Sequence, residues 1–147
     1  MRRLEDFDNE YLFVIPHDAL QTYIFSPIIM NLYVTDLGFF PNAESHYVDR
    51  EKGAESWVLI FCTNGSGTVE VNGKTYAMHQ HSLVIMPPDV PHKYYATADD
   101  PWDIYWVHLR GKLADEYMSV LPDTAHSLVE LPMSQVKPLM ELVWLMI

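Results

Sequence analysis

Three histidines near the middle of the chain have a spacing that could bind a metal ion. His79 and His81 are two residues apart, so they would share one face of a strand, and His92 follows a proline-rich stretch. Imidazole nitrogens are common ligands of zinc, iron, nickel and copper. A metal site needs further convergent ligands, however, and Ser82–Met86 contains no carboxylate. We therefore predict no metal site and no cofactor.

Nucleophilic catalysis has no better support in the sequence. Ser66 lies in the turn Gly65-Ser66-Gly67, which lacks the strand-to-helix context of a nucleophile elbow or a phosphate loop. The numerous acidic residues fall mostly in predicted turns, where solvated charge is the ordinary explanation. We predict no catalytic residues and a protein that is not an enzyme.

A set of polar and aromatic side chains is better suited to binding a small molecule. Its members lie on predicted strands: Arg50, Tyr94, Trp102, Ile104 and Trp106. An aromatic ring can cover the C–H face of a sugar while Arg and Tyr bond hydroxyls or a carboxylate. The alternative is that the aromatic residues fill the core and the arginine is exposed to solvent.

These side chains surround a rigid corner within Leu83–Tyr95, whose sequence is LVIMPPDVPHKYY. Its three prolines fix φ and remove backbone donors, so the corner can be neither helix nor the middle of a sheet. The branched and aromatic residues on both sides predict two short strands, joined as in small β-barrels. Within this stretch we expect His92 to hold the turn and Tyr94 to serve function.

Further short strands and turns are predicted along the chain. Trp57–Cys62 is the most strongly apolar run and is expected at the centre of a sheet. Asn72-Gly73, between two alternating runs, predicts a hairpin. Gly38–Pro41 is expected to form a break before the next strand. Period-two alternation predicts two sets that each share one face of a strand: His46, Val48 and Arg50, and Trp102, Ile104, Trp106 and His108. This pattern of strands and turns indicates a sandwich or a barrel.

Composition and charge exclude two kinds of partner. The 147 residues are 49% hydrophobic, which suits one globular domain. Only 9 Lys and Arg oppose 20 Asp and Glu, and they are scattered, so a surface for duplex DNA or for an anionic membrane is not expected. The single cysteine, with no signal peptide or membrane span, predicts a cytoplasmic protein.

The two ends of the chain differ from its strand-rich middle. Residues 1–20 mix charges with aromatics, and form either a frayed terminus with one edge strand or an arm that docks on the barrel or its ligand. In residues 112–147 the spacing predicts one helix over Lys112–Leu121 and a second from near Ser134, with Pro138 in its first turn. The second helix is apolar almost all round, which indicates a dimer seam, a truncated chain, or both.

With these motifs in place, Val48–Gly111 resembles the N-terminal effector-binding domain of AraC-type transcription regulators. The features that match are Asp49-Arg50, the strand Trp57–Cys62 closing at Gly65-Ser66-Gly67, the Gly73 hairpin, LVIMPPDVPHKY and PWDIYWVHLRG. The proline corner and the last strand are specific in combination, whereas either alone is weak. The resemblance covers residues 112–147 in outline and residues 1–45 only loosely.

The resemblance implies a cupin-like β-barrel (double-stranded β-helix or jelly roll) at residues 21–111. An N-terminal arm at residues 1–20 would precede it, and a helical dimerisation segment at 112–147 would follow it. It also implies a small polar effector, often a sugar, a homodimer, and DNA contact through a helix-turn-helix domain absent from this chain. Carried over by position, the ligand-binding residues are Arg50, Tyr94, Ile104 and Trp106. Ile104 stands where the arabinose-responsive member has a histidine, which puts the same sugar in doubt.

Together, the residues and the resemblance predict a non-enzymatic sensor domain that binds a small polar molecule. Effector binding would then alter dimer geometry or the position of the arm. The principal alternative is a cupin metalloenzyme acting on a small sugar or acid. A purely structural dimerisation module is a third possibility, but it would leave the Arg50, Tyr94 and Trp106 set without a purpose.

Overall fold

A computed structural model describes residues 2–121 and 128–146 of the chain. The strands are β1 (Tyr11–Val14), β2 (Tyr33–Phe40), β3 (Tyr47–Arg50), β4 (Trp57–Asn64), β5 (Gly67–Val71), β6 (Lys74–Met78), β7 (Ser82–Met86), β8 (His92–Ala96), β9 (Asp103–Arg110) and β10 (Leu128–Glu130). The helices are α1 (His17–Tyr23), α2 (Lys112–Ser119) and α3 (Met133–Met146), and a short 3-10 turn lies at Ile29–Asn31. None of these helices is long and apolar enough to cross a membrane.

The strands form two antiparallel sheets that enclose a common core. The larger sheet has the order β1-β2-β9-β4-β7-β10 and the smaller has the order β3-β8-β5-β6. As predicted, the apolar β4 is central, with β9 on one side and β7 on the other. The predicted hairpin at Asn72-Gly73 joins β5 to β6. The mainly β expectation is therefore confirmed, although strand pairing does not join the two sheets into one closed barrel within the described residues.

The proline corner carries the chain from the larger sheet to the smaller one, because it connects β7 to β8. Gly53 lies against this corner with φ +77, and a Cβ there would lie 2.5 Å from the backbone nitrogen of Val90. Only glycine fits such a position without strain. His92 holds the corner as predicted, since its Nδ1 donates to the Val90 carbonyl oxygen at 2.9 Å.

Between the sheets, one end of the core is packed solid around Trp102. This side chain is fully buried, and its ring lies over Gly67, where a Cβ would be 2.1 Å from the ring. Its Nε1 donates to Nδ1 of the buried His46 at 3.2 Å. Sheet packing and a satisfied hydrogen bond thus close this end of the sandwich.

Helices α2 and α3 cover the outer face of the larger sheet. Ala114 of α2 packs on Trp57 and Ile85, and Val136 of α3 packs on Phe61 and Tyr105. The short strand β10 before α3 pairs with β7, and the Ser82 hydroxyl also donates to Glu130 at 2.8 Å. The end of the described chain is therefore attached to the sheet by both strand pairing and apolar contact.

The structure corrects two expectations and adds two elements. Gly38 does not form a break between strands but lies inside β2, where a Cβ would be 2.8 Å from the Trp106 ring. Pro138 lies beyond the first turn, because α3 begins at Met133. The sequence patterns did not predict α1 or β10, which are both short.

Candidate functional site

A cavity of about 170 Å³ lies between the two sheets. Its wall from the larger sheet consists of Asp36, Phe40, Ile60, Ile104, Trp106 and His108. The opposite wall consists of Val48, Arg50 and Tyr94 from the smaller sheet, with His46 just before β3. The N-terminal segment completes the lining with Leu4, Glu5, Leu12 and Val14. A small molecule bound here would contact both sheets and the N-terminus together.

The four residues carried over from the resemblance all line this one cavity: Arg50, Tyr94, Ile104 and Trp106. The two sets predicted to share a strand face also line it, except that Trp102 is buried in the packed core. The structure therefore brings the predicted residues together. Their contact with a ligand stays a prediction.

The guanidinium of Arg50 is held by the proline corner. One of its N–H groups donates to Nε2 of His92 at 3.4 Å, and the other ring nitrogen of His92 is bound to the corner backbone. Within the part of the chain that the structure describes, no carboxylate oxygen lies within 4.0 Å of this guanidinium. Burial, together with the Arg50 charge, lowers the pKa of His46 to about 4, so His46 is neutral.

Asp36 and His108 form a hydrogen bond on the opposite wall, with His108 Nδ1 2.7 Å from Asp36 Oδ2. Burial by itself would raise the pKa of Asp36, but hydrogen bonds from His108 and Thr35, with the nearby positive charges, bring it below its ordinary value. Asp36 is thus an anion whose charge is already engaged. Sequence reasoning missed this pair as site residues, although His108 was predicted to share a strand face with Trp106.

Trp106 presents an unused hydrogen-bond donor. Its Nε1 is buried and has no hydrogen-bond partner among the described residues. Its ring lies against Gly38 of the neighbouring strand, where a side chain would collide with it. A buried donor without a partner costs about 1–3 kcal/mol of stability.

Tyr94 and Ile104 supply a neutral, largely apolar part of the wall. Tyr94 is 5% exposed and Ile104 is fully buried. Burial raises the pKa of the Tyr94 hydroxyl, although the neighbouring Arg50 opposes this rise. The hydroxyl therefore remains protonated and can both donate and accept hydrogen bonds.

The N-terminal segment is attached to both sheets. Strand β1 pairs with β2 of the larger sheet, as an edge strand. Farther upstream, the Arg3 amide donates to the Ser45 carbonyl at 2.9 Å, and the Tyr47 amide donates to the Arg3 carbonyl at 2.8 Å. Phe7 is 5% exposed and packs on Phe40, with ring centroids 5.1 Å apart. The two sequence alternatives are therefore both partly realised, as an edge strand and a docked aromatic residue.

The histidine pair considered for metal binding lies away from this cavity lining. His79 is largely exposed, with its Nε2 3.3 Å from Glu130. His81 occupies the turn before β7 with φ +76, the left-handed conformation that favours glycine. Over residues 2–121 and 128–146, no group of three or more His, Cys, Asp or Glu is placed to hold a metal ion.

Comparison with protein families gives a match over most of the chain. A family model described as the AraC-like ligand binding domain matches residues 37–146. The MmsAB operon regulatory protein of Pseudomonas aeruginosa is 35% identical over 104 residues, which are 68% of this chain and 34% of that protein. The lactose operon transcription activator of Staphylococcus xylosus is 29% identical over 79 residues, covering 54% of this chain and 27% of that protein. The chain spans about a third of the length of these relatives.

Solved structures with low sequence identity share the fold. YhaK from Escherichia coli has a TM-score of 0.52 and 14% identity, with 84% of this chain and 52% of that chain aligned. ToxT from Vibrio cholerae has a TM-score of 0.52 and 8% identity, with 77% and 47% aligned. With the two facing sheets, these similarities confirm the predicted cupin-like fold.

Proposed function

Because the chain belongs to the family of AraC-like ligand-binding domains, we propose that it is the effector-binding part of a transcription regulator. Its effector is a small polar molecule, a sugar or a sugar derivative. Effector binding controls DNA contact by a helix-turn-helix domain outside this chain, in the cytoplasm. The domain itself catalyses no reaction. The curated relatives, whose names are those of operon regulators, support this assignment.

The observation that carries the proposal is the composition of the cavity wall. Arg50 from the smaller sheet and Asp36, Trp106 and His108 from the larger sheet line the same space. Small-molecule sites are concave and mostly apolar, with a few polar groups that fix the orientation of the ligand. A binding site accounts for charged and hydrogen-bonding side chains from both sheets around one cavity.

The N-terminal arm is the element best placed to respond to the effector. It contributes Leu4, Glu5, Leu12 and Val14 to the cavity and makes hydrogen bonds to both sheets. A ligand shifts the equilibrium of such an element only when its affinity differs between the attached and detached arrangements. Direct contact with the arm provides that difference.

We further propose that the domain is a homodimer joined through the segment at residues 112–147. On α3, Leu142 and Leu145 face away from the sheet and are 61% and 85% exposed. On α2, Tyr117 and Val120 are 62% and 78% exposed. Pairing of two copies would remove these apolar side chains from water. Leu142→Asp with Leu145→Asp should give a monomer in sedimentation analysis, whereas Glu141→Ala on the same helix should leave the dimer intact; a dimer that survives the double substitution would place the interface elsewhere.

A thermal-shift screen of sugars and sugar acids tests the binding site. A ligand at 100 times its Kd stabilises the folded state by about 2.7 kcal/mol. Arg50→Ala should abolish that shift, whereas Arg110→Ala should keep it, because Arg110 pairs with Glu55 outside the cavity lining. A full shift in the Arg50→Ala protein would contradict the assignment of this cavity.

A further inference from the structure

The two faces of β1 have different surroundings. Leu12 and Val14 line the cavity between the sheets. Side chains alternate along a strand, so Tyr11 and Phe13 belong to the other face of the larger sheet, on which α3 packs. There the ring of Tyr11 lies edge-on to the ring of Trp144 in α3, with the ring centroids 5.6 Å apart. Strand β1 therefore lies between the cavity and the last helix.

Tyr11 is one end of a row of aromatic side chains that crosses the larger sheet. It is paired with Phe39 of β2, and Phe39 is paired with Tyr105 of β9. Tyr105 is in turn paired with Phe61 of β4. The rings of Phe39 and Tyr105 are stacked, with their centroids 4.4 Å apart. Aromatic pairs that lie directly opposite each other stabilise neighbouring strands, so this row joins the arm to the centre of the sheet.

Trp144 packs on this row at the edge where the arm joins the sheet. Besides Tyr11, its ring contacts those of Phe39 and Tyr105, with centroids 6.2 and 6.1 Å away. One side chain of α3 thus touches β1, β2 and β9. Of these three, β2 and β9 each lie between two other strands, whereas β1 is an edge strand that pairs with β2. Loss of the Trp144 ring should therefore affect β1 more than the other two.

We propose that Trp144 is a positioning residue for the N-terminal arm, and that its contact with Tyr11 couples the attachment of β1 to the docking of α3. The coupling is reciprocal, because release of either element removes a contact from the other. It is a property of the free chain. Its use, to carry a change at the cavity to the helical segment at residues 112–147, rests on the proposed function.

Hydrogen exchange of the free chain, followed by mass spectrometry, measures this coupling. Trp144→Ala should raise exchange in peptides spanning Tyr11–Val14 by about two- to tenfold, the range expected when an aromatic pair is lost. Trp144→Phe keeps a ring and should give a smaller rise. Tyr11→Ala should in turn raise exchange in the last turns of α3. The control is Leu145→Ala, because Leu145 is adjacent to Trp144 and 85% exposed; it should leave the exchange of β1 unchanged.

A double variant separates this contact from general loosening of the helix. In the Tyr11→Ala protein, the further change Trp144→Ala should add no exchange to the arm, because the partner ring is already absent. Additive effects, unchanged exchange of β1 in Trp144→Ala, or an equal rise in Leu145→Ala would each overturn the coupling. Effector binding is tested separately, by the thermal-shift screen with Arg50→Ala, so a failure of one proposal is distinguishable from a failure of the other.

Discussion

Trp106 lies on β9 and Trp102 comes directly before that strand, yet the two side chains have different surroundings. Both rings lie over a glycine of another strand, Gly67 for Trp102 and Gly38 for Trp106. Trp102 is fully buried and donates to His46, whereas the buried Nε1 of Trp106 has no described partner. The first indole completes a packed core, and the second lines a cavity.

The difference shows how one short segment can contribute both to a packed core and to a cavity wall. A satisfied, close-packed indole contributes its full burial to folding. A buried indole N–H without a partner lowers stability. Matched substitutions at Trp102 and Trp106 should therefore change the free energy of unfolding by different amounts and, for the mildest substitution, in opposite directions.

Truncation to alanine should give the largest difference in stability between the two positions. Trp102→Ala should lower the free energy of unfolding by about 3–5 kcal/mol, because it opens a void in a solid core and leaves His46 without its donor. Trp106→Ala should lower the free energy of unfolding by a clearly smaller amount, because part of the surroundings of Trp106 is already a cavity. Urea unfolding followed by circular dichroism measures both, and equal losses would remove the distinction between the two positions.

Acid should weaken the packed end through His46, the acceptor of the Trp102 hydrogen bond. Burial, and then the Arg50 charge, lowers the pKa of His46 from 6.5 to about 4. Between these values the unfolded chain binds a proton that the folded chain excludes, so stability falls as the pH is lowered from 6.5 towards 4, by up to about 3 kcal/mol. The pKa of His92 is also lowered, so the measurement is the part of the slope that His46→Gln removes. An unchanged slope in that variant would assign the effect to other groups.

Adding one methyl group beneath each ring should have different consequences. Gly67→Ala places a Cβ 2.1 Å from Trp102 and should cost about 1–3 kcal/mol of global stability. Gly38→Ala places a Cβ 2.5 Å from the Tyr11 carbonyl oxygen as well as against Trp106, so it should loosen β1. Limited proteolysis should then cut the N-terminal arm faster in Gly38→Ala than in Gly67→Ala under native conditions. The reverse order would show that the arm does not depend on this strand contact.

Replacement by phenylalanine should give the smallest changes in stability, and these should have opposite signs at the two positions. Trp106→Phe removes a buried donor that has no described partner and should leave stability unchanged or raise it by about 1 kcal/mol. Trp102→Phe removes a satisfied donor and should lower stability by about 1 kcal/mol or more. Thermal unfolding of the free chain is sufficient for this comparison, and a loss in both variants would contradict the assignment of Trp106 as an unsatisfied group.

Local sequence patterns predicted much of the frame that carries this site. Period two placed Arg50 on one face with His46 and Val48, and Trp106 on one face with Ile104 and His108. The proline corner and the Asn72-Gly73 hairpin were identified from their own residues. These features depend on backbone geometry within a few residues. They can therefore be recognised without knowledge of the neighbouring strands.

The parts that were missed depend on contacts between distant segments. Gly38 was interpreted as a chain break because its real constraint, the Trp106 ring, comes from a strand far along the sequence. Asp36 carried no signal, since its role depends on the His108 that faces it in the folded chain. The strand β10 is short and exists through its pairing with β7, which no local pattern indicates.

The attachment of the arm to both sheets has a kinetic consequence. The Arg3 bonds to Ser45 and Tyr47, with the β1–β2 pairing, hold the arm in place along the cavity. A ligand that enters only after these bonds break can associate no faster than the arm detaches, so the observed rate should level off at high ligand concentration. Dissociation is limited in the same way, because a bound ligand can leave only after the arm detaches. If the arm gates the cavity as proposed, hydrogen bonds at the N-terminus would set the upper limit on how quickly the domain responds.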